Sequence, residues 1–349
     1  MYKRICFNII EYMSNKYKKE GIILSKLKKL VIFLAILVIT LPIATFGLVY
    51  YKLESIHDTN SNIDALDNIS YQGKDGITNI LLIGTDGRPG ETNSRSDAMM
   101  ILTVDDVHKD LKLTSLARDT YVDIPGHGYQ KLTHAYVYGQ ASLLIETIEK
   151  NFEIDINNYV AVDFYSFFDI IDALGGITVN VKESEINETN KFIEKETYKW
   201  DDNPNKGPMQ LITHAGEQKL NGYQALSFSR IRKNESAFER DRRQREVIEA
   251  LLDEVKSLPL SKYSKVLNSI LPYVKTNMSP TKIIGLGATI LGIGNFDIKQ
   301  IEFPIDDDIH STGGIYGNAG WVLRFDSSTL VLLHDFIFND IMPEDNENF

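Results

Sequence analysis

Arginine is concentrated in one short stretch of this chain. Six of its 11 arginines fall within LSFSRIRKNESAFERDRRQR, residues 226–245, although the chain as a whole is acidic, with a formal net charge of -11. The guanidinium group presents a planar fork of N–H donors that matches the oxygens of a phosphate. This concentration of arginine in an acidic chain indicates a site for a phosphate-bearing ligand, most simply a pyrophosphate.

Two predicted elements determine which of these arginines can act together. ALSFSRI (225–231) is interpreted as a strand, and in extended backbone Arg230 and Arg232 point to one face. Residues 240–258 have the apolar period of a helix, in which Arg240 and Gln244 lie one turn apart on the inward face. We expect Arg230, Arg232 and Arg240 to bind the anion.

The other arginines of the stretch are interpreted differently. The first turn of the predicted helix carries Arg240, Arg242 and Arg243, so its free N–H groups and its arginines all offer positive potential to an anion. Arg242, Arg243 and Arg245 are nevertheless expected to be mainly surface residues. Arg242 and Arg245 have acidic neighbours with which to form exposed ion pairs, namely Glu239, Asp241, Glu246 and Glu249.

A second set of charged residues lies more than 100 residues earlier in the chain. These charged residues lie next to the ends of three runs that have the length of strands: ITNILLIG (77–84), AMMILTV (98–104) and LKLTSLA (111–117). If the three runs form an antiparallel sheet, with 105–110 as a hairpin connection, one edge of that sheet collects Asp86, Arg88, Arg95, Asp97 and Arg118. Carboxylates among arginines suit Mg²⁺ bound together with a polyanion, because Mg²⁺ prefers oxygen ligands.

The remaining pattern predicts an α/β domain over residues 76–342, with a tail at 343–349. The chain alternates predicted helices and strands: helix 138–152, strand 158–164, helix 165–174, strand 177–181, a helix around 280–292 and a strand at 299–303. Residues 182–213 are polar and without a clear period, and we interpret them as a loop or an insertion. No internal repeat is present.

The N-terminal region predicts a membrane anchor. LVIFLAILVITLPIATFGLVYY (30–51) carries no charged residue and as a helix would measure roughly 33 Å, enough to cross a bilayer. Residues 1–29 contain eight Lys or Arg against Glu11 and Glu20, which places this basic arm in the cytoplasm. A cleaved signal peptide is the alternative, but its apolar core would be shorter. Residues 52–75 would be a linker or stalk outside the membrane.

Composition argues against two classes of protein, disulfide-linked domains and nucleic-acid-binding proteins. The single cysteine, Cys6, precedes the apolar segment, so no disulfide forms within the exterior part. Because that exterior part is strongly acidic, it is a poor surface for nucleic acid, and the topology likewise opposes a DNA-binding regulator.

Several long motifs, in order, resemble the LytR-CpsA-Psr family. They are GTDGR (84–88), RSD (95–97), LARDTYVDIPGHG (116–128), DFYSFFDIIDALGGITVNV (163–181), GEQKLNGYQALSFSRIRK (216–233) and FERDRRQR (238–245). The resemblance runs from about residue 77 to 257. It implies an α/β fold with a central mixed sheet flanked by helices on both faces, preceded by one transmembrane helix, and an apolar cleft for a prenyl chain.

The resemblance also implies an activity and a set of site residues. Enzymes of this family transfer a glycopolymer from a polyprenyl-pyrophosphate carrier to a hydroxyl of peptidoglycan in a Gram-positive type envelope, forming a phosphodiester. Carried over by motif, Asp86 and Asp97 would bind Mg²⁺ or Mn²⁺, with Arg95 beside them, and either aspartate would accept the hydroxyl proton. The pyrophosphate would contact Arg118, Arg230, Arg232, Arg240 and Gln244.

Two other functions use the same residues. A metal-dependent pyrophosphatase would take water as the acceptor, and a non-catalytic membrane regulator would bind the carrier lipid without turnover. This chain also departs from the family pattern in KLTHAY (131–136), where His134 replaces a residue that is commonly Asn, and in a slightly short loop between Arg232 and Arg240. A lone histidine is more often structural, so His134 is not counted among the predicted site residues.

Overall fold

The computed structural model describes most of the chain beyond the predicted membrane segment. The described residues are 50–58, 71–86, 94–156, 158–200, 206–231, 237–259, 274–294, 297–305 and 311–346, with four single positions between 262 and 271. The predicted arm at 1–29 and nearly all of the predicted membrane helix at 30–51 lie outside them. Within these residues, no helix has the length and apolar character needed to cross a membrane. The fold below is that of the compact unit Leu53–Phe349.

A mixed six-stranded sheet lies at the centre. Its order is β10-β3-β2-β1-β6-β9, with β1 Ile77–Thr85, β2 Ser96–Asp105, β3 Asp110–Leu116, β6 Asn158–Asp163, β9 Val274–Thr276 and β10 Ile298–Phe303. β2 runs antiparallel to both β1 and β3, whereas β6 runs parallel to β1. The predicted antiparallel arrangement of the first three strands and the hairpin between the second and third are therefore confirmed.

Helices and three small two-stranded sheets complete the domain. The helices are α1 Leu132–Phe152, α2 Phe164–Leu174, α3 Glu183–Phe192, α4 Gly222–Arg230, α5 Ala237–Ser257, α6 Pro280–Ile293 and α7 Leu330–His334. The small sheets pair β4 Tyr121–Ile124 with β5 Gly128–Lys131, β7 Ile177–Val181 with β8 Gly216–Leu220, and β11 Ser311–Ile315 with β12 Trp321–Phe325. α1 begins six residues before its predicted start, because a kink at Gly139 and Gln140 interrupts its period.

Helices cover both faces of the central sheet, because strand side chains alternate between the faces. On one face, Leu81 of β1 belongs to a buried cluster with Leu144 and Ile148 of α1. On the other face, Ile80 belongs to a cluster against which Ile283 and other residues of α6 pack. The predicted central mixed sheet with flanking helices is confirmed.

The predicted loop at 182–213 is wrong over its first half. Residues 183–192 form α3, followed by a π-helical turn at Ile193–Thr197 and a short helix at Tyr198–Trp200. The buried positions recur every four residues, at Glu185, Thr189, Ile193 and Thr197. Three of these four are polar, so the helical period does not show in the hydrophobic pattern.

The predicted strand at 225–231 is also wrong, because these residues belong to α4. Asn221 caps this helix: its side chain accepts from Gln224 N–H, and the Gln224 side chain accepts from Asn221 N–H. Every residue from 222 to 229 is buried, so the alternation of apolar and polar residues does not mark two faces. Arg230 is thus the last residue of a helix, and Arg232 lies outside the described residues.

α4 is held close to α2 by a glycine. A Cβ atom on Gly222 would lie 2.6 Å from the Phe168 backbone, a separation that no side chain tolerates. The contact extends a third buried cluster that joins α2, α4 and α5 to the β7–β8 pair and includes Phe168, Leu226 and Val247. This cluster fixes the end of α4, and with it the position of Arg230.

Candidate active site

The first group of predicted site residues lies at one edge of the central sheet. β1 and β6 end there and β2 begins there, since β2 is antiparallel to β1 and β6 is parallel to it. Asp86 directly follows β1 and exchanges two hydrogen bonds with Arg95: the Arg95 N–H donates to Asp86 Oδ1 at 2.6 Å, and the Asp86 N–H donates to the Arg95 carbonyl at 3.1 Å. The Arg95 side chain is exposed. Arg88 lies outside the described residues.

Asp97 and Arg118 form an ion pair at the same edge. Arg118 Nη1 donates to Asp97 Oδ1, and Arg118 Nε lies 3.6 Å from Asp119 Oδ2. Asp119 in turn accepts a hydrogen bond from Lys131 at 2.8 Å. Burial would raise the pKa of Asp119, but the Lys131 hydrogen bond and the positive charges of Arg118 and Arg240 hold it below its ordinary value. The Asp119 carboxylate is therefore ionised at neutral pH and lies beside Arg118.

The second group approaches this edge from α4 and α5. Arg230 lies at the C-terminal end of α4, with its guanidinium over the Trp200 ring, 5.1 Å from the ring centroid. Burial lowers the pKa of Arg230, while nearby carboxylates, including Asp97 and Asp86, oppose the shift. The guanidinium remains charged at physiological pH, since its ordinary pKa is far above 7. Arg230 therefore faces the Asp86 and Asp97 side of the sheet edge.

A cavity of about 290 Å³ joins the two groups. Asp97, Arg230, Arg240 and Gln244 line its polar part, so four of the predicted site residues share one space. Asp163 and Ser229 also line it. The rest of its wall is apolar and comes from both the sheet and the helices, with Leu82, Met100 and Val162 on the strands and Phe167, Ile248 and Leu251 on α2 and α5. Such a cavity suits a ligand with an apolar chain and an anionic head group.

The arginines of α5 differ from the prediction in two respects. The helix begins at Ala237, so Arg242 and Arg243 lie in its second turn and do not add to an anion site at its start. Arg243 is completely buried rather than exposed, and it donates to Glu185 at 3.3 Å and to the Ile231 carbonyl at 2.8 Å. The buried carboxylate of Glu185 explains the burial of Arg243. It lies on α3, in a segment that was interpreted from sequence as a loop or an insertion.

The other two arginines form ion pairs. Arg242 pairs with Glu239 and Glu246, as predicted, and also donates to Glu185. Arg245 pairs with Glu302 of β10 at 3.1 Å, a partner that the sequence did not indicate. Neither lines the cavity, so the arginine-rich stretch divides into ligand-facing and structural members.

Glu185 of α3 connects the two helices that carry the second group. Besides the two arginines of α5, it accepts the Lys182 N–H at the start of α3, and Arg243 reaches the end of α4. We expect Glu185→Ala to lower the free energy of unfolding by about 3 to 5 kcal/mol, because it removes the buried carboxylate to which Arg243 donates. Chemical denaturation of the soluble domain measures this. Glu188→Ala, which removes an exposed pair with Lys191, is the matched control and should cost less than about 1 kcal/mol.

Comparison with known proteins decides the family. The model of the LytR_cpsA_psr family matches residues 44–326, which is most of the chain. This chain belongs to the LytR-CpsA-Psr family. The resemblance inferred from the motifs GTDGR, RSD and FERDRRQR is confirmed.

Several LytR-CpsA-Psr relatives are transferases by name. The chain is 35% identical over 253 residues to the polyisoprenyl-teichoic acid–peptidoglycan teichoic acid transferase TagT of Bacillus subtilis (strain 168), covering 71% of each chain. It is 34% identical over 269 residues to the corresponding transferase TagU of Enterococcus faecalis (strain ATCC 700802 / V583), covering 73% of this chain and 81% of the relative.

A solved structure of the same family supports the fold. The family protein YwtF (TagT) with bound octaprenyl pyrophosphate lipid superimposes with a TM-score of 0.58 at 27% identity, covering 79% of this chain and 94% of that one. The lipid in that structure combines an apolar chain with an anionic head. The cavity of this chain has a matching combination: an apolar wall for the chain and arginines for the anionic head.

Two residues at this LytR-CpsA-Psr site were not predicted from sequence. Trp200 lies in the segment interpreted as a loop, and no periodic signal marks it as the partner of Arg230. Asp119 directly follows Arg118 within the LARD motif, and this adjacency in sequence could have indicated that it lies at the site. Among the described residues, no group of three or more His, Cys, Asp or Glu side chains is arranged to hold a metal ion.

Proposed function

We propose that this protein transfers a glycopolymer from a polyprenyl-pyrophosphate carrier to a hydroxyl of peptidoglycan, with formation of a phosphodiester. One observation carries the proposal: a largely apolar cavity whose polar lining includes Asp97, Arg230, Arg240 and Gln244. The relatives named as teichoic acid transferases and the relative with a bound octaprenyl pyrophosphate support it.

The arginines perform the electrostatic part of the reaction. Phosphoryl transfer requires positioning and charge neutralisation more than covalent participation of the protein. Arg230 and Arg240 would bind the pyrophosphate from the α4 and α5 side, and Arg118 from the sheet side. Gln244, one turn after Arg240, would add a neutral hydrogen bond. Negative charge that develops on the departing polyprenyl phosphate is then stabilised by groups already in place.

The carboxylates fit a divalent cation that binds together with its substrate. Mg²⁺ is commonly held by one or two carboxylates plus phosphate oxygens, with waters completing an octahedron. Asp86 and Asp97 supply such a pair, since Asp86 follows Thr85 of β1 and Asp97 follows Ser96, the register partner of Thr85 on β2. They would hold Mg²⁺, or Mn²⁺, which when bound neutralises charge on the pyrophosphate. Arg95 fixes Asp86 through its backbone N–H.

The location follows from the substrates and from the N-terminal segment. A polyprenyl carrier lies in the membrane, and the uncharged residues 30–51 are long enough to span it. We propose a single-pass anchor with the basic arm 1–29 in the cytoplasm and the α/β domain on the outer side of the membrane, next to the peptidoglycan.

The apolar part of the cavity provides a test of the carrier lipid. We expect Ala98→Phe, which places a ring in the cavity, to raise the KM for a donor with a long prenyl chain about tenfold or more, because it displaces several buried methylene groups. The KM for a donor with a very short chain should change little. Val107→Phe, at an exposed position of the β2–β3 hairpin, is the control. Equal KM changes for both donors would show that the chain binds elsewhere.

Product analysis separates this function from its two alternatives. The purified full-length protein in detergent is incubated with a lipid-pyrophosphate-linked glycan, peptidoglycan and Mg²⁺, and the wall fraction is examined by mass spectrometry after muramidase digestion. A glycan joined to the wall through a phosphodiester supports transfer. Free glycan phosphate with unmodified wall would indicate a pyrophosphatase, and lipid binding without turnover would indicate a regulator.

A further inference from the structure

His134 lies beside the candidate active site, in the first turn of α1. Its neighbour Thr133 is tied to the site twice: the Thr133 N–H donates to the Arg118 carbonyl at 3.0 Å, and Thr133 Oγ1 donates to the Ser96 carbonyl at 2.8 Å. Ser96 stands between Arg95 and Asp97 in the chain. The backbone of His134 is therefore held next to the sheet edge at which the reaction would occur.

A hydrogen-bond network determines which ring nitrogen of His134 carries the proton. The amide of Gln130 is oriented by its Nε2, which donates to the His127 carbonyl at 3.2 Å. Its Oε1 is then the acceptor, and it receives the Tyr138 hydroxyl at 2.8 Å and lies 3.1 Å from His134 Nδ1. An acceptor opposite Nδ1 requires a proton on Nδ1. In the neutral ring, Nε2 consequently holds the lone pair.

The surroundings keep this imidazole neutral. Burial lowers the pKa of His134 below its ordinary value of 6.5, and the positive charges of Arg95 and Lys131 lower it further, whereas Asp119 opposes them. At pH 7 most of the molecules therefore carry an unprotonated Nε2. A neutral imidazole nitrogen can accept a proton in a transition state.

We propose that His134 is the general base for the acceptor in this protein. Nε2 takes the proton of the peptidoglycan hydroxyl as its oxygen bonds to the phosphorus that carries the glycan. The bond from that phosphorus to the bridging oxygen breaks, and polyprenyl phosphate leaves with the electron pair. The imidazolium then releases its proton to water.

This assignment rests on the proposed function and resolves which group accepts the proton. Asp97 already accepts from Arg118, and Asp86 from the Arg95 N–H, so both carboxylates have binding roles. His134 is half-buried and has its Nδ1 side occupied by Gln130. Only its Nε2 is left for a substrate hydroxyl.

Substitution of His134 tests the role directly. We expect His134→Asn to lower kcat for transfer on the order of 10²-fold, the usual contribution of a general base, and to abolish the loss of rate that wild type shows as the pH falls through a pKa below 6.5. His127→Asn is the control, because His127 is exposed, stacks on Tyr138 at 4.2 Å and acts on Gln130 only through its carbonyl. Its rate and pH profile should match wild type.

A second variant distinguishes a base from a structural residue. Gln130→Glu places a carboxylate opposite Nδ1. It should move the acidic limb of the pH–rate profile to higher pH by about one pH unit, since a negative neighbour stabilises the imidazolium. A purely structural His134 would leave the position of that limb unchanged in Gln130→Glu. An unaltered rate and profile in His134→Asn, with wild type active, would overturn the assignment of the base and leave the proposed function intact. Absence of transfer by wild type would instead overturn the proposed function.

Discussion

Replacing Arg230 with alanine is expected to lower glycopolymer transfer by about 10³-fold or more, the effect typical of removing an arginine that stabilises charge in phosphoryl transfer. Arg230 is held by its place at the end of α4 and by the Trp200 ring beneath it, so its guanidinium is oriented before the substrate arrives. Arg118→Ala should act in the same direction. The rate of glycan incorporation into peptidoglycan by purified protein measures both.

The control for Arg230 is another arginine lying on an aromatic ring. Arg324 is exposed, lies over Tyr316 at 4.7 Å and is not among the residues that line the cavity. Arg324→Ala should therefore transfer at the wild-type rate. Thermal unfolding of both variants, followed by circular dichroism, checks that neither loses its fold. A folded Arg230→Ala variant with normal transfer would remove the arginine from the mechanism.

The second large effect is expected at Asp97. Asp97→Asn keeps a side-chain oxygen for the hydrogen bond from Arg118 but loses the negative charge, so we expect a loss of rate on the order of 10³-fold at a low concentration of Mg²⁺. Part of that loss should be recovered as Mg²⁺ is raised, because a weaker site needs more metal to fill. The half-saturating Mg²⁺ concentration, measured by transfer rate, is the readout.

An aspartate in an exposed ion pair provides the comparison for Asp97. Asp123 contacts Lys150 at 2.6 Å on the surface, and Asp123→Asn should show the wild-type rate and the wild-type dependence on Mg²⁺. If Asp97→Asn has a lower rate but the same half-saturating concentration as wild type, then its role is to orient Arg118, and the metal is bound by other groups.

The sheet edge was predictable from sequence because its signals are local. The apolar runs that became β1, β2 and β3 have strand length, and a hairpin connection forces their ends together. That was sufficient to place Asp86, Asp97 and Arg118 at one edge. Asp97 and Arg118 then proved to be in direct contact.

The helices around Arg230 were not predictable in the same way, because burial there is not carried by apolar residues alone. In α4 all faces are buried, so its pattern shows no period, and the capping pair Asn221 and Gln224 was the better signal. In α3 a buried Glu185 occupies a position where an apolar residue is expected. Its partner Arg243 was consequently assigned to the surface, since a buried charge can be recognised only when its counterion is known.

The pairing of α4 with the sheet edge depends on long-range packing. Arg230 reaches the cavity from the end of a helix rather than from the face of a strand, and Trp200 comes from a third segment. The predicted grouping of Arg230 with Arg240 and Gln244 around one cavity still holds, because the helical and extended interpretations leave Arg230 at the same end of its element.

The most direct measurement follows the phosphorus that carries the glycan. A donor is prepared with radiolabelled phosphorus only at the position bonded to the sugar, and purified full-length protein is incubated with it, Mg²⁺ and peptidoglycan. We predict that the label becomes attached to the wall in a form that resists phosphomonoesterase, while unlabelled polyprenyl phosphate is released. Label released as soluble glycan phosphate, or retained entirely on the lipid, would contradict transfer to peptidoglycan.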